Sequence, residues 1–229
     1  MSFQEFDRYA HEYDEALTKG IRISGQNRDF FARGRIAWIA NGLRKHGAGS
    51  LSVMDFGCGT GLSTPYFVDL LSARSVMGVD ISMKSLEVAR AKYAAFNAQF
   101  ILMDEYEPAG EFDLAFCNGV FHHISPDKRA EAISYIYRAL CKKGVFALWE
   151  NNPWNPGTRY IMGKISFDKD ASPVSPPEAR RLLQAGGFEI LSTTFLFIFP
   201  QILSLFRVFE PFLARLPFGA QYQVLCRKS

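Results

Sequence analysis

Val53-Met54-Asp55-Phe56-Gly57-Cys58-Gly59-Thr60-Gly61 sets an apolar run, an acidic residue and three alternating glycines directly before a helical pattern. Glycine at a strand-to-helix turn lets the backbone bend tightly and approach a ligand with no Cβ in the way. The stretch therefore predicts a main-chain binding loop at the end of a first strand. A dinucleotide fingerprint would read Gly-x-Gly-x-x-Gly. Here Leu62 stands at the third position after Gly59, and Asp55 precedes the first glycine inside the turn, so nicotinamide and flavin are disfavoured.

Outward from this loop, short β-branched or apolar runs alternate with longer helical patterns, the signature of a parallel sheet covered by helices. Strands are expected near Leu51–Asp55, Ser75–Val79, Ala98–Leu102, Phe112–Cys117 and Gly144–Glu150. Helices are expected at Leu62–Leu71, Met83–Ala94 and Asp127–Leu140, the last with Ala130, Ile133, Ile136, Tyr137 and Leu140 at helical spacing. This pattern predicts an α/β, doubly wound, mostly parallel sheet, in which ligands bind beyond the carboxyl ends of the strands. The first fifty residues read as helical, with Phe30, Phe31, Ile36, Trp38, Ile39 and Leu43 as anchors, and fit a lid over the ligand edge. Asn151–Pro177 carries five prolines and reads as a long loop near that edge. A helix near Pro177–Ala185, a strand from Phe188 to about Phe197 and a final strand Gln221–Arg227 complete the chain. All of it forms a single domain.

The ends of the other strands extend the motif. Asp80, in Gly78-Val79-Asp80-Ile81-Ser82, closes the second strand 25 positions after Asp55, where a carboxylate accepts hydrogen bonds from both hydroxyls of a ribose. The competing reading is an N-cap for the helix starting at Met83, with the binding role favoured. Met103-Asp104 ends the third strand, where an adenine would lie if the ribose sits on Asp80, and Asn118-Gly119 ends the fourth. Together these positions trace one nucleoside-shaped ligand.

At these residues the chain resembles the class I S-adenosylmethionine-dependent methyltransferases, over roughly residues 6–150 with a continuation toward the end. The matching positions are Asp55, Gly57, Gly59, Gly61, Asp80, Asp104 and Asn118-Gly-Val-Phe-His122-His123-Ile; Phe6-Asp7-x-x-Ala10-x-x-Tyr13-Asp14 looks like the family's lid entry. The resemblance implies S-adenosylmethionine as cofactor, with S-adenosylhomocysteine as product. Its methionine end would lie on the glycine loop, its ribose on Asp80 beside Ile81, its adenine near Met103 and Asp104, with Asn118 and Tyr13 as further contacts. It also implies a seven-stranded, Rossmann-like sheet whose last strand runs antiparallel.

Methyl transfer is an in-line displacement, so the protein must chiefly hold acceptor and methyl close together and exclude water. A hydroxyl acceptor also benefits from a base. His122 and His123 are candidates, and Glu150 leaves the fifth strand in Trp149-Glu150-Asn151-Asn152-Pro153-Trp154-Asn155, a set able to hydrogen-bond and stack on a polar cyclic acceptor such as a sugar. Arg159, Asp168 and Asp170 either touch substrate or merely keep the surface soluble. Asn118-Gly119-Val120-Phe121 replaces the Asn/Asp-Pro-Pro-aromatic tetrapeptide of amino-methylating members. Oxygen is therefore favoured as acceptor, on a small molecule or glycan-type substrate.

Composition bounds the partners. The chain has 229 residues, 48% hydrophobic and 21% charged, and a net charge of +3 without a basic run, which argues against nucleic acid. Four scattered cysteines with no Cys-x-x-Cys pair argue against a zinc site and against a disulfide-stapled secreted scaffold, and no metal is expected. No secretory leader is expected, and the apolar stretch Phe195–Phe206 is too short and interrupted to span a membrane, so the expected place is the cytoplasm. The Phe-rich end poses the open question. From Pro200 to Leu216 a helical face of Ile202, Leu205, Phe206, Phe209, Phe212, Leu213 and Leu216 is expected, kinked at Pro211. It could be core, a homodimer seam, an apolar acceptor pocket, or a peripheral membrane contact through residues 195–218 serving a lipid-linked acceptor. A cofactor-binding protein without turnover, using this end as a partner surface, is the rival from another class.

Overall fold

The first strand, β1 (Ser52–Phe56), is buried along its whole length inside a seven-stranded sheet in this computed structural model, which describes residues 24–44, 50–165 and 171–229. Burial on both faces explains why Val53, Met54 and Phe56 are apolar on either side of the strand. Around it lie β2 (Ser75–Asp80), β3 (Ala98–Leu102), β4 (Phe112–Asn118), β5 (Leu140–Asn151), β6 (Phe188–Leu196) and β7 (Gln221–Lys228), in the order β3-β2-β1-β4-β5-β7-β6. The first five pair in parallel, and β7 runs antiparallel to both β5 and β6. The doubly wound sheet with an antiparallel last strand is thus the one expected.

Strand alternation assigns each face. Val53, Phe116, Ala147 and Trp149 pack with Ile36, Ile39, Ala40 and Leu43 of α1 (Arg28–Arg44) and Phe67 of α2 (Thr64–Leu71). Met54, Phe56, Phe146 and Leu148 face Ile133 and Ile136 of α4 (Arg129–Ala139) and Leu183 of α6 (Pro176–Ala185). On the far edge α3 (Met83–Lys92) packs Leu86 and Ala89 against Tyr93 and Phe100. The helices start where capping chemistry permits: Ser82 accepts the Ser85 N–H, and Ser175 with Glu178 forms a capping box before Pro176-Pro177.

Two expectations change, and a third is described only in part. Of the expected N-terminal lid, α1 buries Ile36, Ile39 and Leu43 against the sheet and brings Arg28, Phe31 and Arg35 to the cavity; residues 1–23, including Tyr13, lie outside the described residues. The proline-rich stretch contains a helix, α5 (Pro156–Met162), since Asn155 accepts the Thr158 N–H and Pro156 occupies the first turn, where it costs no hydrogen bond. Asp168 and Asp170 lie outside the described residues. The Pro200–Leu216 helix is instead a 3-10 segment, Gln201–Phe209, broken at Leu203, followed by a single turn, α7 (Glu210–Leu213), and neither buries a residue. No described helix is long and apolar enough to cross a membrane.

Candidate functional site

A cavity of about 1020 Å³ opens at the carboxyl ends of the parallel strands. Its floor is the loop after β1. Gly57 and Gly59 both have positive φ, +71° and +52°. A Cβ on Gly57 would clash with Val120 Cγ2, whereas a Cβ on Gly59 would have no heavy atom within 4 Å and would fill open space. The Gly59 backbone is thus laid bare for close approach. Gly61 does not line the cavity: its α-carbon faces the Tyr93 and Phe100 rings, so its smallness serves the packing of α3 and β3.

Asp80 anchors the loop as well as lining the cavity. Its Oδ2 accepts the Gly59 N–H at 2.7 Å and its Oδ1 accepts the Ser82 N–H at 2.9 Å. Ser82 in turn caps α3, so the capping that competed with a binding role falls to the neighbour. Asp55 lies on the same sheet face as Val53, toward Arg35 of α1. Burial and the Asp80 charge push its carboxyl up to about 8, with the Arg35 charge opposing. Ile81, Met103, Asp104 and Asn118 also line the cavity, and Asn118 Oδ1 is buried with no hydrogen-bond partner among the described residues. The neighbouring Cys58 and Cys117 thiols are raised well above their ordinary range by burial, so neither is a ready nucleophile.

His122 and His123, in the loop after β4, line the cavity, their rings 4.1 Å apart. Glu150 does not reach it. It is fully buried behind His122: Oε2 lies 2.6 Å from His122 Nδ1, and Oε1 accepts the Phe121 N–H at 2.8 Å. Burial alone would raise the Glu150 carboxyl. The charge and hydrogen bond of His122, the charge of His123 and the Phe121 N–H outweigh it and hold the group below its ordinary range. Glu150 therefore positions an imidazole rather than touching an acceptor. Of its neighbours, only Asn151 lines the cavity; Trp149 is core, Asn152 bonds the carbonyls of Pro217 and Gly219, Asn155 caps α5, and exposed Trp154 stacks beside Phe195. Arg159 is exposed and away from the lining.

Sequence reasoning missed two groups. Arg129, only 2% exposed, donates from Nε to the carbonyls of Phe121 and Ile124, from Nη2 to Ser172 and from Nη1 to Glu178, clamping the histidine loop to α6. It reads as an ordinary solvated charge at the start of a helix, and no sequence signal marks it. Arg28, Phe31 and Arg35 bring α1 into the wall, as their interleaving of basic and aromatic residues allowed but did not require.

This sheet order, with a glycine loop after the first strand and an acid closing the second, defines the class I S-adenosylmethionine-dependent methyltransferase fold. Residues 53–144 match the family model of the methyltransferase domain. Among curated proteins, a carboxy-S-adenosyl-L-methionine synthase of Campylobacter concisus is 38% identical over 151 residues, 64% of this chain and 61% of that protein. An uncharacterized protein of a Synechococcus strain is 34% identical over 90 residues, 36% of this chain and 22% of its own length. The chain thus spans less than two thirds of these relatives. Among solved structures, a Thermotoga maritima protein described as a possible histamine N-methyltransferase aligns with a TM-score of 0.64 at 19% identity, over 99% of both chains. Magnesium protoporphyrin IX methyltransferase from Synechocystis, solved with bound S-adenosylhomocysteine, aligns at 0.61 and 20% identity, over 92% of this chain and 86% of that one. At these identities the structures establish the shared fold.

Proposed function

We propose that this chain binds S-adenosylmethionine on the glycine loop and Asp80, and methylates a hydroxyl of a small-molecule or glycan-type acceptor. The residues present fit that cofactor. Gly59 presents bare backbone to open space, Asp80 offers a carboxylate at the edge of the cavity, and Asn118 Oδ1 is a buried acceptor awaiting a donor. A cavity of about 1020 Å³ lies at the upper end of ordinary ligand sites, which leaves room for an acceptor beside a nucleoside.

The observation that carries the reading of oxygen is the buried Glu150–His122 pair at the cavity wall. S-adenosylmethionine, when bound, supplies an electrophilic methyl group on a sulfonium. Glu150 holds the His122 ring through Nδ1, which keeps Nε2 as the proton-accepting nitrogen of the neutral imidazole. His122 would take the hydroxyl proton as the acceptor oxygen attacks, and Glu150 would stabilise the imidazolium that forms. Arg129 keeps the histidine loop in register throughout.

Calorimetric titration with S-adenosylmethionine and S-adenosylhomocysteine, with NAD as control, tests the cofactor. Transfer of labelled methyl to pools of hydroxylated metabolites and glycans then tests the acceptor. Binding of neither adenosyl ligand by folded protein would overturn the reading, and transfer only to amines would overturn the choice of oxygen.

A second reading draws on the similarity to the carboxy-S-adenosyl-L-methionine synthase. Arg28 and Arg35 at the cavity wall could pair with a carboxylate on a modified adenosyl ligand. Mass spectrometry of the bound nucleoside after purification distinguishes the two: a carboxylated adenosyl species would favour this alternative.

A further inference from the structure

We propose that the β6–β7 connection, with the neighbouring α5, is a docking surface for an anionic membrane leaflet, which it holds against the mouth of the cavity. The docking stands on its own. That the acceptor is then lipid-anchored rests on the reading of the cavity given above.

Position comes first. β6 and β5 are both antiparallel to β7, so the two run in the same direction, and the end of β6 emerges at the edge where Asn118 and Asn151 line the cavity. The returning chain is stitched to that rim. Asn152 donates to the Pro217 and Gly219 carbonyls, Thr158 Oγ1 donates to the Ala220 carbonyl, and Ala220 and Gln221 are themselves part of the lining.

The second observation is what this connection shows to solvent. Ile202 is 90% exposed, Leu205 87% and Phe212 83%, with Phe206, Phe209 and Phe218 each half or more exposed. The segment is not a loosely collapsed tail. Glu210 accepts the Phe199 N–H, Arg207 donates to the Phe199 carbonyl and lies over the Phe30 ring, and the Phe195 N–H bonds the Ala214 carbonyl. The polar groups thus tie the turn down while the large apolar side chains are held outward. Apolar surface of this extent on a soluble domain marks an interaction site.

Charge selects the occupant. In residues 151–165 and 197–220 Arg159, Lys164 and Arg215 are exposed cations, whereas Arg207 and the one acid, Glu210, are both spent on the Phe199 backbone. A second copy docked through the same patch would set these cations against themselves, whereas an anionic leaflet complements them. Trp154 and Tyr160, about half exposed beside the patch, are residue types that settle at the level of lipid headgroups. Apolar side chains with a basic, aromatic border are the composition of an interfacial segment rather than of a spanning one.

The test is flotation of the full chain with vesicles of phosphatidylcholine containing about a third phosphatidylglycerol, and with pure phosphatidylcholine. It is run for the wild type and for Leu205→Ser combined with Phe212→Ser, changes at side chains so exposed that the core is untouched. Expected is binding to the anionic vesicles, falling roughly tenfold or more in the double variant and weakened by salt, with circular dichroism and adenosyl-ligand affinity unchanged. No vesicle binding by the wild type, or equal binding by the variant, would overturn the proposal. So would a dimer in sedimentation that the variant dissolves while vesicles go unbound. Vesicle binding without adenosyl-ligand binding would instead sink the cofactor reading and leave the docking surface standing.

Discussion

Glu150 and His122 are 28 residues apart in the chain and 2.6 Å apart in the fold, both almost fully buried. The β4–β5 register causes this: Asn118 pairs with Trp149, so the residue after Trp149 comes level with the loop that follows β4. A buried carboxylate survives only if its lone pairs are taken, and the His122 ring and the Phe121 N–H take them.

Glu150→Gln should therefore keep adenosyl-ligand affinity but lower kcat by roughly 10²-fold or more, and should change the pH profile of kcat, because the imidazole loses the charge that stabilises its protonated form. Steady-state kinetics across pH on the acceptor found by screening would check this. A loss confined to KM, with the profile unmoved, would reduce Glu150 to a structural role. The pair also supports the fold. Its carboxyl is held below the ordinary value of 4.5, so the stability it contributes is present above that pH and is lost as pH falls through the lower folded value.

Asp80→Ala should abolish most adenosyl-ligand binding while the protein stays folded. Asp80 accepts the Gly59 N–H, and in the proposed site its carboxylate would also accept from the ribose; charge-assisted bonds of this kind are worth about 1.5–3 kcal/mol each. A fall in affinity of roughly 10²-fold or more by calorimetry is expected. Unchanged affinity would exclude Asp80 from the ribose site.

Asp55 makes the stability of the fold fall as pH rises from the acid side to about 8. Its carboxyl, near 3.8 when unfolded, is pushed to about 8 in the fold, so the folded state binds the extra proton between those values. Stability should accordingly be greatest on the acid side of that window and decline as pH rises toward 8. Asp55→Asn removes the titration, so urea midpoints measured from pH 5 to 9 should flatten relative to wild type. Parallel curves for the two proteins would show that Asp55 is already ionised in the fold.

Gly57 and Gly59 should separate stability from binding. In Gly57→Ala the new methyl strikes Val120 at a positive φ, which should cost about 1–3 kcal/mol and displace the histidine loop. In Gly59→Ala the methyl projects into open space, so stability should fall by only about 1 kcal/mol from the strained φ, while adenosyl-ligand binding is lost. Chemical denaturation and calorimetry on the two variants would check the contrast. Equal destabilisation would mean that Gly59 serves the turn alone.

The sheet was legible because its signals are local. The short apolar run of β1, glycines spaced along the turn and acids at the strand ends all depend on neighbours a few residues away, and Asp55, Gly57, Gly59, Asp80, Met103, Asp104 and Asn118 gather where that reading puts them. Gly61 and Glu150 shared the same motif logic, but their direction depends on which ring or imidazole a distant strand presents. The Pro200–Leu216 face had helical spacing in sequence. With Pro200 and Pro211 limiting it and no core surface within reach, it turned into short 3-10 turns with its apolar side chains outward.

The amino-acid sequence by itself thus determined the order of strands and helices and the main-chain cradle between β1 and α2, since backbone conformation and periodicity are set over short distances. Only the tertiary structure decided that Glu150 serves His122, that Arg129 clamps the histidine loop, and that the Phe-rich turn stands at the rim of the cavity. Each of these rests on strand register and on packing between segments far apart in the chain, and no local pattern encodes either.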